Sequence, residues 1–264
     1  MMKTLIIIPA RYGSTRFPGK PLTVIAGETM LSRVVKIARQ AANKIENIMV
    51  VVATEDQRIV DHAEKDIGVE CVLTSNDCAT GSDRVLEALE KINSDAEIVI
   101  GLQGDAPFTP PEVLLQIIQK FKDEPTAQVV TPVVNLRWAE LDQLRKQKEK
   151  VPFTGTTAIL NPQGCALWFS KNILPAIRKE NREREFSPVH QHIGLYGYRV
   201  ATLRQFVSLP QGHYEQLEGL EQLRFLENDI PIHTVTLNIA AGLAQAGIDS
   251  PEDVIRAEKI LARQ

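Results

Sequence analysis

Four times in its first part the chain runs through a short apolar stretch and then a segment with helical spacing. The stretches are TLIIIP, NIMVVVAT, VECVLT and EIVIGLQ; the segments after them are TMLSRVVKIARQAA, EDQRIVDHAEKDI, GSDRVLEALEKI and PPEVLLQIIQKF. Met30, Leu31, Val34, Val35, Ile37 and Ala38 line one side of the first helical segment, and Val85, Leu86, Leu89 and Ile92 one side of the third. Apolar strands alternating with amphipathic helices predict an α/β fold of Rossmann-like type, a mostly parallel sheet with helices on both faces. At 264 residues the chain suits one such domain carrying an insertion.

The rhythm changes after about Val134. LRWAELDQLRKQKEK is a charged helical stretch. TAILN and CALWFS flank PQG, which predicts a hairpin. KENREREFSPVHQ reads as a polar, mobile stretch, HIGLYGYRV as a strand and EQLEGLEQLRFLEND as one helix packing Leu217, Leu220, Leu223, Phe225 and Leu226. In GIDSPEDVIRAEKILA, Ser250 is the expected helix cap, Pro251 the first helical residue and Asp253 the partner in a capping box. No linker composition intervenes. The expectation is a single domain, with a nucleotide half over about 1–134, a smaller mixed α/β insertion over about 135–235, and a last loop and helix over about 236–264.

Net charge is −3, which argues against nucleic acid as the main partner. Cys71, Cys78 and Cys165 form no C-x-x-C pair and no disulfide framework, which fits a reducing, cytoplasmic home. The first apolar stretch is too short for a signal peptide, and no run is long enough to insert in a membrane.

The first strand opens into ARYGSTRFPGKPL. It is not a P-loop: five residues separate Gly13 from Gly19 where four are required, and Pro21 stands where Ser or Thr should bind magnesium. It still brings Arg11, Arg16 and Lys20 to the carboxyl end of a strand, with glycines that let backbone N–H groups approach an anion. Asp105, in LQGDAP, ends the fourth strand and reads either as a magnesium ligand or as a turn-forming residue after Gly104. Asp249 reads as a second ligand or as helix-start chemistry. His192, on sequence alone, reads sooner as an ordinary half-buried histidine than as a site residue, and Glu221 reads equally as a site residue or a solvated helix charge. Of Tyr196 and Tyr198, one is expected in the core and one toward polar surroundings. Cys78 reads as a buried apolar residue.

The segments IIPARYGSTRFPGKPL, TSNDCATGSDR, LQGDAP, HIGLYGYR, LEQLR and GIDSPEDV, spread over residues 5 to 260, resemble in content and order the signature segments of 3-deoxy-manno-octulosonate (Kdo) cytidylyltransferases. The resemblance implies the nucleotide-diphospho-sugar transferase fold and transfer of CMP from CTP to the anomeric hydroxyl of Kdo, releasing pyrophosphate, for lipopolysaccharide or capsule synthesis. It implies that Arg11, Ser14 and Lys20 hold the triphosphate with Arg16 close by, that Ala10 belongs to the nucleotide site, and that Thr80, Gly81, Ser82 and Arg84 line the cytosine and ribose pocket. Gln103 would lie between the substrates, and Asp105 and Asp249 would coordinate Mg²⁺. Arg178, His192, Tyr196, Glu221 and Gln222 would contact the sugar acid. A homodimer is implied as well. The chain departs from the pattern at Cys78, Ala106, Gln191 and the Thr156–Thr157 pair, and residues 135 to 155 match poorly. An 8-amino relative of Kdo, another 2-keto-3-deoxy sugar acid, a different nucleotide and a non-catalytic nucleotide-binding paralogue are the alternatives.

Overall fold

The computed structural model describes residues 2–13, 17–239, 247–248 and 250–261. Strand β1 (Thr4–Pro9) is buried along its whole length, and its alternation sorts the core. Ile6 and Ile8 face one helical layer; Leu5 and Ile7 face the other. After β1 come a small hairpin, β2 (Val24–Ile25) and β3 (Glu28–Thr29), and helix α1 (Met30–Ala42), capped by the Thr29 side chain. Then follow β4 (Ile48–Thr54), α2 (Gln57–Asp61) with a π-helical turn over His62–Ile67, β5 (Glu70–Leu73), α3 (Gly81–Ile92), β6 (Ile98–Gly101) and α4 (Pro111–Asp123). The strands β5-β4-β1-β6 are parallel, as the rhythm predicts. The central β1 and β6, covered on both faces, need continuous apolar runs rather than alternation.

The second part adds β7 (Val129–Arg137), α5 (Trp138–Lys150), the hairpin β8 (Thr157–Leu160) and β9 (Ala166–Ser170), β10 (Phe186–His192), β11 (Tyr196–Arg199), α6 (Val200–Ser208), α7 (His213–Glu218), α8 (Leu223–Glu227), β12 (Ile232–Leu237) and α9 (Pro251–Leu261). β11 pairs antiparallel with both β6 and the start of β7. β10 pairs with the far part of β7 and carries the β8–β9 hairpin. β12 runs parallel to β7 on its other edge. Helices α1, α4 and α5 pack on one face of the sheet, and α3, α6 and α8 on the other. Ser250 and Asp253 form the expected reciprocal cap at α9, at 3.1 and 3.4 Å.

Several sequence expectations change. Phe186–Gln191, read as mobile, belongs to β10. HIGLYGYRV is not one strand: His192 closes β10, and β11 begins at Tyr196. Tyr196 and Tyr198 are both buried, as residues two apart on a strand must share a face; their rings stack at 5.8 Å. EQLEGLEQLRFLEND is two short helices, because Gly219 takes a left-handed conformation (φ 62°) and ends α7; Leu217 is left 69% exposed. β7, α6 and β12 carried no sequence expectation. In β7 the obstacle is Pro132, which ordinarily argues against a central strand. The Pro132 carbonyl accepts the Ile193 amide at 3.1 Å, in the gap where β10 ends and β11 begins, so the missing N–H falls where no ladder bond is due.

Candidate functional site

The carboxyl ends of β1 and β6 meet at one place. Gly104, just past β6, comes so close to β1 that a Cβ there would sit 2.7 Å from the Pro9 carbonyl oxygen. Only glycine fits, and this approach carries Asp105 to the loop after β1. The Lys20 ammonium donates to the Asp105 carboxylate at 2.6 Å. The loop is braced from within. The Gly19 amide donates to the Tyr12 carbonyl at 2.9 Å, and Gly19 holds φ 70° against the Tyr12 ring. The Tyr12 amide donates to Glu55 at 3.0 Å, and the Arg58 guanidinium covers the Tyr12 ring at 3.3 Å. Arg11 donates to the Cys78 carbonyl, joining this loop to the one that leads into α3. Ala10 is buried in the core beneath it. Ser14, Arg16 and Asp249 lie outside the described residues. The Ile248 amide donates to the Asp105 carbonyl at 3.1 Å, so the C-terminal segment docks at this strand end.

At the start of α3, Thr80 caps the helix in a box with Asp83, and Gly81 lies against Gln103. The Ser82 hydroxyl donates to Glu221 at 2.6 Å. Arg84 is 1% exposed and turns inward, donating to the Thr74 hydroxyl and lying 3.1 Å from Glu55. It therefore braces the strand ends from below. Cys78 is buried, and its thiol donates to Glu87 at 3.0 Å. Burial and the Glu87 carboxylate push the thiol up to about 11, so it is not a nucleophile at neutral pH.

A cavity of about 480 Å³ opens beside Gln103 and Asp105. Its other walls are Thr154–Thr156, Lys171 at the end of β9, His192 to Tyr196, and Leu220 with Gln222. The groups in it are polar and strongly desolvated. His192 Nε2 lies 2.9 Å from the Thr131 hydroxyl, which donates to the Leu195 carbonyl at 2.8 Å. That chain assigns the imidazole proton to Nε2 and leaves Nδ1 an acceptor. Burial, helped by the Lys171 charge, pushes His192 down to about 3, so the ring is neutral. Glu221, next to the cavity but outside its lining, is raised above the usual carboxylate range by burial, against the Ser82 hydrogen bond, and burial raises Tyr196 on the wall. Burial lowers Lys171, partly offset by Glu218. Gln222 is 4% exposed, and its amide nitrogen has no hydrogen-bond partner among the described residues. A buried donor left in this way costs about 1–3 kcal/mol unless something binds it.

The fold thus brings Lys20, Gln103, Asp105, His192, Tyr196, Glu221 and Gln222 to one region. Arg178 is exposed and is not among the residues lining the cavity; the cation there is Lys171, which sequence reasoning missed. Its one signal was a basic residue directly after the strand-like run CALWFS. Sequence reasoning also missed the ion pair of Arg224 with Glu215, at 2.6 and 2.7 Å, both side chains 6% exposed. It locks α7 to α8 behind Glu221 and Gln222. Among the described residues no three His, Cys, Asp or Glu side chains cluster as a metal cage, and no helix is long and apolar enough to cross a membrane.

A cationic strand-end loop facing a carboxylate, beside a pocket of buried polar groups, is the layout of a nucleotidyltransferase. Residues 5–232 match the family model described as cytidylyltransferase. The 3-deoxy-manno-octulosonate cytidylyltransferase of Maricaulis maris is 46% identical over 263 residues, covering 100% of this chain and 98% of that protein. Its counterpart in Bacteroides thetaiotaomicron is 38% identical, covering 98% of each chain. The solved structure of CMP:2-keto-3-deoxy-manno-octonic acid synthetase complexed with CTP superposes with a TM-score of 0.83 at 34% identity, covering 99% of both chains. The chain belongs to the 3-deoxy-manno-octulosonate cytidylyltransferase family.

Proposed function

We propose that this protein transfers CMP from CTP to the anomeric hydroxyl of Kdo and releases pyrophosphate. The observation that carries the sugar half of this reading is a single cavity lined by Gln222, Lys171 and His192, with a buried Gln222 amide nitrogen that no described residue pairs. A donor, a cation and an acceptor in one desolvated pocket suit a carboxylated, hydroxylated ring better than an apolar ligand. The nucleotide half rests on the loop from Arg11 to Lys20, and CTP is bound in the related synthetase of the same fold.

In this reading Arg11 and Lys20 neutralise the triphosphate, with Ser14 and Arg16 as further loop contacts, and the start of α3 from Thr80 to Ser82 lines the pocket for cytosine and ribose. Gln103 spans the two substrates. Arg84 acts through Glu55 rather than on the base, and Lys171 rather than the exposed Arg178 meets the sugar carboxylate. The C2 hydroxyl oxygen attacks the α-phosphorus, the bond from that phosphorus to the bridging oxygen breaks, pyrophosphate departs and the hydroxyl proton is lost to water. Catalysis here is positioning and charge stabilisation, with no covalent intermediate on the protein.

A divalent cation fits the donor set. Asp105 is a hard oxygen ligand at a strand end beside the phosphate loop, the pattern Mg²⁺ uses when phosphate oxygens and water complete its shell. Asp105 and Asp249 would hold it, and it would supply further charge neutralisation on the phosphates. The same reading includes a homodimer through the second half, supported by the exposed apolar side chains of Phe153, Leu167, Tyr214 and Leu217.

The test is incubation with CTP, Mg²⁺ and, separately, Kdo, 8-amino-Kdo or N-acetylneuraminic acid, with the CMP-sugar identified by mass. Kdo is the expected acceptor. Transfer only to 8-amino-Kdo would keep the chemistry and replace the sugar; transfer to none of the three would overturn the reading.

A further inference from the structure

Lys148 is a charged side chain that the proposed chemistry does not use. It stands in the last turn of α5, and its ammonium turns back toward the cavity wall. There it donates to the Lys171 carbonyl at 2.6 Å, to that of Gly155 at 3.2 Å, to that of Pro152 at 3.4 Å and to that of Thr154. Burial lowers its proton affinity, and the nearby Lys171 charge acts the same way. Two of these carbonyls come from the 154–156 wall of the cavity, and one from Lys171 itself. Lys171 Nζ in turn donates to the Thr156 hydroxyl at 3.2 Å, and its amide donates to Glu218 at 2.8 Å. The wall has tight limits on its far side too: Gly155 holds φ 65°, and a Cβ there would lie 3.0 Å from the Gln191 amide and 3.1 Å from Leu144.

We infer that Lys148 is a positioning residue for the sugar acid: its ammonium ties the 152–156 segment to the end of β9 and so fixes Lys171 and Thr156 relative to the bound carboxylate. The inference rests on the sugar-acid reading of the cavity. It is physically economical, because one half-buried ammonium gathers carbonyls from two chain segments and hydrogen bonds to a charged donor are the strong ones. Displacement of a binding group by about 1 Å is enough to lose a large factor in turnover.

The experiment is steady-state kinetics with the full chain, CTP, Mg²⁺ and Kdo. Lys148→Met keeps the stem and removes every one of these bonds. The expected result is a KM for Kdo raised about tenfold or more, with the KM for CTP changed less than twofold. Because Lys148 acts through Lys171, the Kdo effect should shrink below about twofold in a Lys171→Met background. An unchanged Kdo KM in a folded Lys148→Met protein would overturn the inference, and so would an equal rise in both KM values or full additivity with Lys171→Met. If Lys148→Met does not fold by thermal melting, Lys148→Gln serves: it keeps an amide donor and should raise the Kdo KM about threefold, and no rise there is equally fatal. Lys171→Met alone separates the two ideas. A flat Kdo KM in that variant sinks the carboxylate reading, whereas a raised value beside a flat Lys148→Met sinks only the role of Lys148.

Discussion

The two halves of the sheet hold their charges in different ways. In the parallel half, the ion pair of Lys20 with Asp105 sits at a strand end with side chains 12% and 34% exposed, where an incoming phosphate or cation can replace either partner. In the antiparallel half, Arg224 and Glu215 are joined by two hydrogen bonds, stacked under the Phe206 ring and shut off from water. One pair is exchangeable and the other fixed. The parallel half presents charge on a braced loop. The antiparallel half surrounds neutral or proton-shifted groups with a rigid frame, and its polar atoms are costly unless paired.

The comparison can be broken most sharply at the fixed pair. Arg224→Met leaves a buried carboxylate without its partner and is expected to destabilise the protein by about 3–5 kcal/mol in urea unfolding. Adding Glu215→Leu should recover most of that loss. The next largest effect is one of pH. His192 is pushed down to about 3 in the folded protein, against an unfolded value of about 6.5. Its neutral form is the one the fold favours. Its contribution is complete above about pH 6.5 and is lost as pH falls toward the folded value, amounting to about 3 kcal/mol by pH 4. Urea unfolding at pH 7 and pH 4 should give a smaller pH dependence for His192→Gln than for the parent.

Turning to the exchangeable pair, Asp105→Asn should lower kcat roughly 100-fold or more, about 3 kcal/mol, while the melting temperature stays near the parent value. A large loss of stability instead would make the pair structural and erase the contrast. Smaller still, Gln222→Met should raise the KM for Kdo about tenfold and leave that for CTP unchanged, if Gln222 serves the sugar as proposed. The smallest effect is set for Cys78→Ala, with activity within about twofold, because the thiol packs and donates only to Glu87.

The sequence by itself determined the parallel half. Its alternating strands and helices follow from spacing that local chemistry enforces, and outside that half the Ser250 and Asp253 cap of α9 does too. The loop from Arg11 to Lys20 and the carboxylate of Asp105 were legible there, because strand-end position is itself a sequence property in such sheets. Tertiary structure decided the rest. Pro132 sits in a strand because two other strands meet opposite it. Phe186–Gln191 is a strand because β7 and β8 offer it edges, although its own composition does not ask for one. Lys171 faces the cavity and Arg178 does not, and no spacing rule separates two basic residues seven positions apart near one hairpin. Arg84 likewise reads from sequence as a ligand contact, yet an internal carboxylate and hydroxyl draw it inward. The physical reason is common to all four. Helical and strand periodicity are local, whereas the environment of a long polar side chain is set by groups distant in sequence that only the packed sheet brings near.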